Sequence, residues 1–188
     1  MYVRLGKRIL DVVLAGTALA AGAVLLLVVA VAIKTEDRGP VFYRQQRVGR
    51  GERMFVILKF RSMPTSAPSM PSAELSGPRV TRVGRVIRRL NVDELPQLLQ
   101  IVQGHMSIVG PRPALLSQEE LIRLRRQNGA FVVRPGLTGL AQVRAYDGMP
   151  DAEKAAYDGE YASSLSFARD MTIIARTVLY LLRPPPTY

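Results

Sequence analysis

Apolar positions follow two different regimes along this chain. From Val12 to Ile33, 22 residues pass without a charge. As a helix that run is roughly 33 Å long at about 1.5 Å per residue, close to the hydrocarbon thickness of a bilayer. A buried helix of a soluble protein, a secretory signal and a membrane anchor are the three readings. Arg4, Lys7 and Arg8 with Ala30-Val31-Ala32 imitate the start and cleavage site of a signal, but the run is about twice as long as a signal core. The anchor reading therefore leads. Basic residues flank the run on both sides: Arg4, Lys7 and Arg8 before it, Lys34, Arg38, Arg44, Arg47 and Arg50 after it, with Glu36 and Asp37 as partial offset. Positive flanks favour the cytoplasm, so both ends ask for the same side. A helix that bends and re-enters satisfies them, and Gly16 and Gly22 would ease the bend.

Beyond the run the pattern shortens. Val41 to Gln45 and Met54 to Phe60 read as two strands, with Gly49 to Glu52 as their hairpin loop. The stretch from Ser62 to Arg79 carries Pro64, Pro68, Pro71 and Pro78 and reads as a loop, either a lid or a linker. Thr81 to Leu90 has helical period, with Val83, Val86, Ile87 and Leu90 on one face and Arg82, Arg85, Arg88 and Arg89 away from it. A second helix is expected from about Asp93 to Gly104, with Asp93 as N-cap. A third starts at Ser117, where Ser117 and Glu120 form a capping box, and stops near Asn128-Gly129. Helices over about Ala152–Tyr161 and Phe167–Leu182 follow. The last is apolar on one side, suited to a membrane interface or to the core. The expected fold class is α+β: an N-terminal re-entrant membrane helix, a small β-hairpin, and several amphipathic interfacial and core helices. The anchor is expected over 1–34 and a second domain over 35–188, the part that would carry any catalysis.

Charge sharpens this picture. Lys and Arg number 26 against 15 Asp and Glu, a formal net charge of +11. That excess favours an anionic partner: nucleic acid, anionic lipid or a phosphorylated substrate. No helix-turn-helix, zinc-finger or RNA-binding aromatic pattern supports nucleic acid. With no cysteine and a single histidine, His105, thiolate chemistry and histidine-cluster zinc sites are excluded. Chemistry must rest on carboxylates, cations, hydroxyls and an oxygen-liganded metal such as magnesium.

Asp93-Glu94 is the leading candidate site. Two carboxylates at a helix start sit where free N–H groups and the helix dipole attract phosphate. Asp93 can attack phosphorus or hold magnesium, and Glu94 can move a proton or orient the metal; plain helix capping is the alternative. Lys59 and Arg61, on one face of the second strand, are candidate phosphate ligands. So are Arg112, stiffened by Pro111 and Pro113, and Arg134, before Pro135-Gly136. His105, after Gly104, reads as a polar helix-end residue.

These pieces resemble, in order and spacing, the bacterial sugar transferase family of monotopic phosphoglycosyl transferases. The similarity runs from about Leu5 to Leu182. It is carried by Lys7-Arg8 with Asp11, Gly39-Pro40-Val41-Phe42 with Arg44-Gln45, and Lys59-Phe60-Arg61-Ser62-Met63. Asp93-Glu94-Leu95-Pro96-Gln97-Leu98 and Met106 to Pro113 follow, then Arg134 to Val143, Asp158 with Tyr161, and Asp170. The resemblance implies that Asp93 attacks the sugar-bearing phosphorus of a UDP-sugar, releasing UMP, and that polyprenyl phosphate, usually undecaprenyl phosphate, then takes the sugar phosphate. It implies Mg2+, held by Asp93, with Glu94 as partner carboxylate. Lys59, Arg61, Arg88, Arg112, Arg134 and Gln142 are the implied substrate and phosphate ligands. The expected location is the cytoplasmic face of the bacterial inner membrane, in contact with its lipids, with a homo-oligomer left open. The chain departs from the pattern at three places. Ala21-Gly22-Ala23-Val24 stands where many relatives carry a helix-bending Ser-Pro, and His105 where they commonly carry Asp. Arg144-Ala145-Tyr146 replaces a common Asn-Gly-Arg, so no sugar is assigned.

Overall fold

The computed structural model describes residues 2–65, 80–146 and 148–181; Pro68, Pro71 and Pro78 of the proline-rich stretch lie outside them. The fold is α+β. A long helix α1 (Lys7–Asp37) leads into an antiparallel hairpin of β1 (Phe42–Val48) and β2 (Met54–Phe60), in register from Phe42 opposite Phe60 to Val48 opposite Met54. Then come α2 (Arg82–Arg89), α3 (Gln97–Gln103), the short strand β3 (Ser107–Val109), α4 (Glu119–Gln127), β4 (Gly136–Thr138), α5 (Leu140–Val143), α6 (Asp151–Ser163) and α7 (Phe167–Leu181).

Helix α1 is long and apolar enough to cross a membrane. It runs without interruption through Gly16 and Gly22. One stripe of it, Asp11, Ala15, Val29 and Ile33, is buried, while Val13, Val24, Leu27, Val28 and Val31 are exposed. The buried stripe feeds two core clusters. Ala15 packs with Ile57, Leu98, Ile101 and Met106; Val29 and Ile33 pack with Phe60 and Ile87. Both ends are also tied by polar contacts. Near the start, Arg8 donates to the Ile101 and Val102 carbonyls at the end of α3. Lys7 pairs with buried Asp170 of α7 at 2.7 Å, and Asp11 accepts from Ser107 Oγ and Ile108 N, each at 2.9 Å. At the far end, Glu36 accepts the Arg82 and Val83 amides that open α2, and Asp37 pairs with Arg61.

The remaining elements differ from the sequence pattern in instructive ways. Helix α2 docks through Gly84, where an added Cβ would stand 2.1 Å from the Ser62 carbonyl oxygen, and through Ile87. Val86 and Leu90, expected to share the core face, are exposed. The helix expected from Asp93 begins only at Gln97. Asn91 takes a left-handed conformation (φ 53), Val92–Glu94 forms a 3-10 turn, and Pro96 caps the helix. The Ser117–Glu120 capping box does not form. The chain enters α4 at Glu119, and the Gln118 side chain instead accepts the Leu115 amide. The parallel pair β3–β4 was not expected. It forms where Gly110 and Gly136 let two backbones nearly touch: a Cβ on Gly136 would lie 2.1 Å from Gly110 N.

Candidate active site

The hairpin, α2 and the Pro111–Pro113 segment meet at the turn carrying Asp93 and Glu94. Strand β2 is fixed against α3 by Gln100, whose side chain accepts the Leu58 amide and donates to the Val56 carbonyl. That pairing sets the next residue, Lys59, beside the turn. Its ammonium donates to Glu94 Oε1 at 2.6 Å. From the opposite side Arg112 forks onto the same carboxylate, Nη2 to Oε1 at 2.6 Å and Nη1 to Oε2 at 3.4 Å. Arg88 reaches in from α2, with its Nε on Ser62 Oγ at 2.8 Å.

The two adjacent carboxylates have opposite environments. Burial alone would raise the pKa of Glu94, but the charges and hydrogen bonds of Arg112 and Lys59 outweigh it and bring the group down to about 2. Asp93 is half-buried, and no other side chain among the described residues hydrogen-bonds its carboxylate. Desolvation, and then the charge of Glu94, raise its pKa above the usual carboxylate value, against the opposing charges of Lys59 and Arg88. Burial is also the main influence on Lys59, whose pKa falls despite Glu94. For Arg112 desolvation is the largest single influence, but the charge and hydrogen bonds of Glu94 together with the charge of Asp93 outweigh it, and its pKa rises. The site is therefore one unengaged, electrostatically uncomfortable carboxylate beside Lys59, Arg88 and Arg112, with a second carboxylate holding two of those cations.

Asp93, Glu94, Lys59, Arg88 and Arg112 are thus brought together. The other expected ligands are placed differently. Arg61 is buried, bound to Asp37 and to the Pro40 carbonyl. Arg134 donates from Nε to the Gly104 carbonyl at 2.8 Å, at the end of α3, with the charges of Arg50 and Arg8 around it. Gln142 donates to the Leu137 carbonyl, and its buried Oε1 has no partner among the described residues. His105 stacks on Phe55. Arg47 is a cation the sequence did not single out. It donates to the Pro113 carbonyl at 3.1 Å and to Gln45, and burial followed by the charge of Arg112 lowers its pKa to about 10. Its only sequence signal was its place among the basic residues after the apolar run. No cluster of three or more acidic or histidine side chains forms a ready-made metal cage among the described residues. A magnesium ion that keeps its waters and takes substrate phosphate oxygens needs only one or two protein carboxylates, and the unengaged Asp93 fits that role.

The structure thus joins a helix of membrane-spanning length and apolarity to a carboxylate, Asp93, set among the cations Lys59, Arg88 and Arg112. The chain belongs to the bacterial sugar transferase family, whose model matches residues 2–184, and it is accordingly a transferase. It is 43% identical to a UDP-glucose:undecaprenyl-phosphate glucose-1-phosphate transferase of Caulobacter vibrioides, over 99% of this chain and 73% of that protein. It is 39% identical to an exopolysaccharide production protein of Rhizobium leguminosarum bv. phaseoli, over 92% of this chain and 93% of that one. It is also 38% identical to a UDP-N-acetylgalactosamine-undecaprenyl-phosphate N-acetylgalactosaminephosphotransferase of Aeromonas hydrophila, of which it covers 43%.

Proposed function

We propose that this chain transfers a sugar 1-phosphate from a UDP-sugar to undecaprenyl phosphate through a covalent intermediate on Asp93. The observation that carries the reading is the contrast between Asp93, raised in pKa and unengaged, and Glu94, saturated by Lys59 and Arg112. A carboxylate poorly stabilised in the resting state is a better nucleophile than one already neutralised by partners. In the first step an Asp93 oxygen forms a bond to the sugar-bearing phosphorus, the bond from that phosphorus to the bridging oxygen breaks, and UMP leaves with the electron pair. In the second, a phosphate oxygen of the lipid attacks the same phosphorus and the Asp93 carboxylate is released. Charge accumulates on the phosphoryl oxygens in both steps, and positioned cations are the principal catalytic device for such transfers.

Lys59, Arg88 and Arg112 supply that charge. Glu94, anionic down to about pH 2, is too weak a base to take a proton near neutrality; its part is to hold Lys59 and Arg112 in place. Asp93 would hold magnesium, and the ion would offset the diphosphate charge. Arg61 secures the end of α1, and Arg134 with Arg8 closes the end of α3, so both act on the scaffold rather than on phosphate.

The topology we propose rests on α1. An uninterrupted 31-residue helix is roughly 46 Å long at about 1.5 Å per residue. Crossing the bilayer would put its ends on opposite sides, yet both ends bind the same basic domain. We place both ends on the cytoplasmic face, with the exposed apolar side of α1 in lipid. The test of the whole reading is a UDP-sugar screen with purified protein in detergent. Sustained UMP release should require both undecaprenyl phosphate and magnesium, and should vanish in Asp93→Asn.

A further inference from the structure

Arg112 sits between two prolines, in a segment that gives up two of its own backbone donors. Its placement therefore depends on what holds its carbonyls. Each carbonyl of the segment is held from a different element: Pro111 O accepts Gly136 N at 2.9 Å, Arg112 O accepts Arg125 Nη1 at 2.8 Å, and Pro113 O accepts Arg47 Nη1 at 3.1 Å. The second of these contacts rests on a buried ion pair. Arg125 of α4 and Asp158 of α6 have side chains 4% and 1% exposed, and the guanidinium gives Nε and Nη2 to Asp158 Oδ2 at 2.8 and 2.5 Å.

Burying such a pair is a poor way to gain stability, because desolvation cancels most of the attraction. The two helices also have other means of docking. Leu121 and Ala155 pack in one apolar cluster with Val48 and Ala114, and Asn128 donates to the Ala155 carbonyl at 2.5 Å. What the pair adds is direction: with Nε and Nη2 fixed on Asp158, the planar guanidinium can aim its third nitrogen, Nη1, only where the fork geometry permits. We infer that Arg125, oriented by Asp158, is a positioning residue that sets the Arg112 guanidinium against Glu94 and the reacting phosphate. The inference deepens the transferase reading and rests on it for its functional meaning. Both side chains are buried from solvent.

The test is a double-mutant cycle in the full-length protein. Arg125→Lys keeps the buried charge but cannot serve Asp158 and the Arg112 carbonyl in one plane. It should lower kcat/KM for UMP release about tenfold or more, mainly through kcat, since an ångström of misplacement can cost on the order of 10²-fold. In an Arg112→Ala background the same substitution should change kcat/KM less than about twofold, while its effect on unfolding temperature stays the same in both backgrounds. The double variant Arg125→Gln with Asp158→Asn, which leaves no lone buried charge, should behave alike and serves if Arg125→Lys does not fold. Equal loss of activity in both backgrounds, or full activity in a folded Arg125→Lys protein, would overturn the inference. A second measurement does not depend on turnover. The Arg112 side-chain Nε–H resonance, assigned by its loss in Arg112→Ala, should move in Arg125→Lys, and an unmoved resonance refutes the positioning role. An inactive wild-type protein would instead count against the transferase reading, with the resonance still deciding the positioning.

Discussion

Asp93 and Glu94 are adjacent in sequence, yet their carboxylates are driven apart in acidity, Asp93 upward by burial and Glu94 down to about 2 by Arg112 and Lys59. In the proposed reaction, attack on phosphorus requires ionised Asp93. The acid limb of kcat/KM should therefore fall as pH drops through the Asp93 pKa, and it should be centred above the ordinary value of 3.8. Ionising a group whose folded pKa is raised costs the native state, so Asp93→Asn should be inactive and at the same time more stable at neutral pH. Thermal unfolding beside the UMP assay checks both halves.

Glu94 works in the opposite sense. Its stabilising contribution is fully present above its ordinary 4.5 and is lost as pH falls through about 2. Glu94→Gln frees two cations from their anchor, and activity should fall about 10²-fold. Arg112→Lys keeps the charge but loses the two-pronged contact. It should cost about 1.5–3 kcal/mol, or roughly 10- to 150-fold in kcat/KM. Steady-state kinetics over a range of UDP-sugar concentrations measures both.

Lys7 and Asp170 tie the start of α1 to α7 in a setting where Tyr2 and Tyr161 also donate to Asp170. Lys7→Met leaves Asp170 buried without its cation. It should destabilise the protein by about 3–5 kcal/mol, the range for breaking one side of a buried pair. Denaturant unfolding in detergent reads this directly.

Both ends of α1 should be reachable from one side of the membrane. The chain has no cysteine, so Leu5→Cys and Thr35→Cys introduce single thiols at exposed positions. Both should react with an impermeant maleimide in inverted membrane vesicles and neither in intact cells. Labelling of one position from each side would establish a crossing helix instead.

Much of the site was legible because its parts have local signals. Asp93-Glu94 stands out as paired carboxylates, Arg112 by its prolines, and Lys59 by its place on a clean strand. Two kinds of feature were not legible. Arg61 shares a strand face with Lys59 by period, but its partner, Asp37, lies 24 residues away, and nothing local shows that its guanidinium is paired there. Arg134 is likewise drawn to Gly104, a tertiary contact. The pair β3–β4 has only three residues in each strand, too few for any period, and it exists because glycines permit close backbone approach. Arg47 and Arg125 look like ordinary surface charges in sequence, and Asp158 stands out only as a piece of the family pattern; that Arg125 and Asp158 are buried together is a matter of packing.

Mass spectrometry of the intact protein tests the covalent route most directly. Mixed with a UDP-sugar that supports turnover, but with no lipid phosphate, the protein should gain the mass of one sugar phosphate on the peptide bearing Asp93, and release one equivalent of UMP. Adding undecaprenyl phosphate should discharge it. A protein that turns over yet never carries the adduct, or an Asp93→Asn variant that still carries it, would contradict the account.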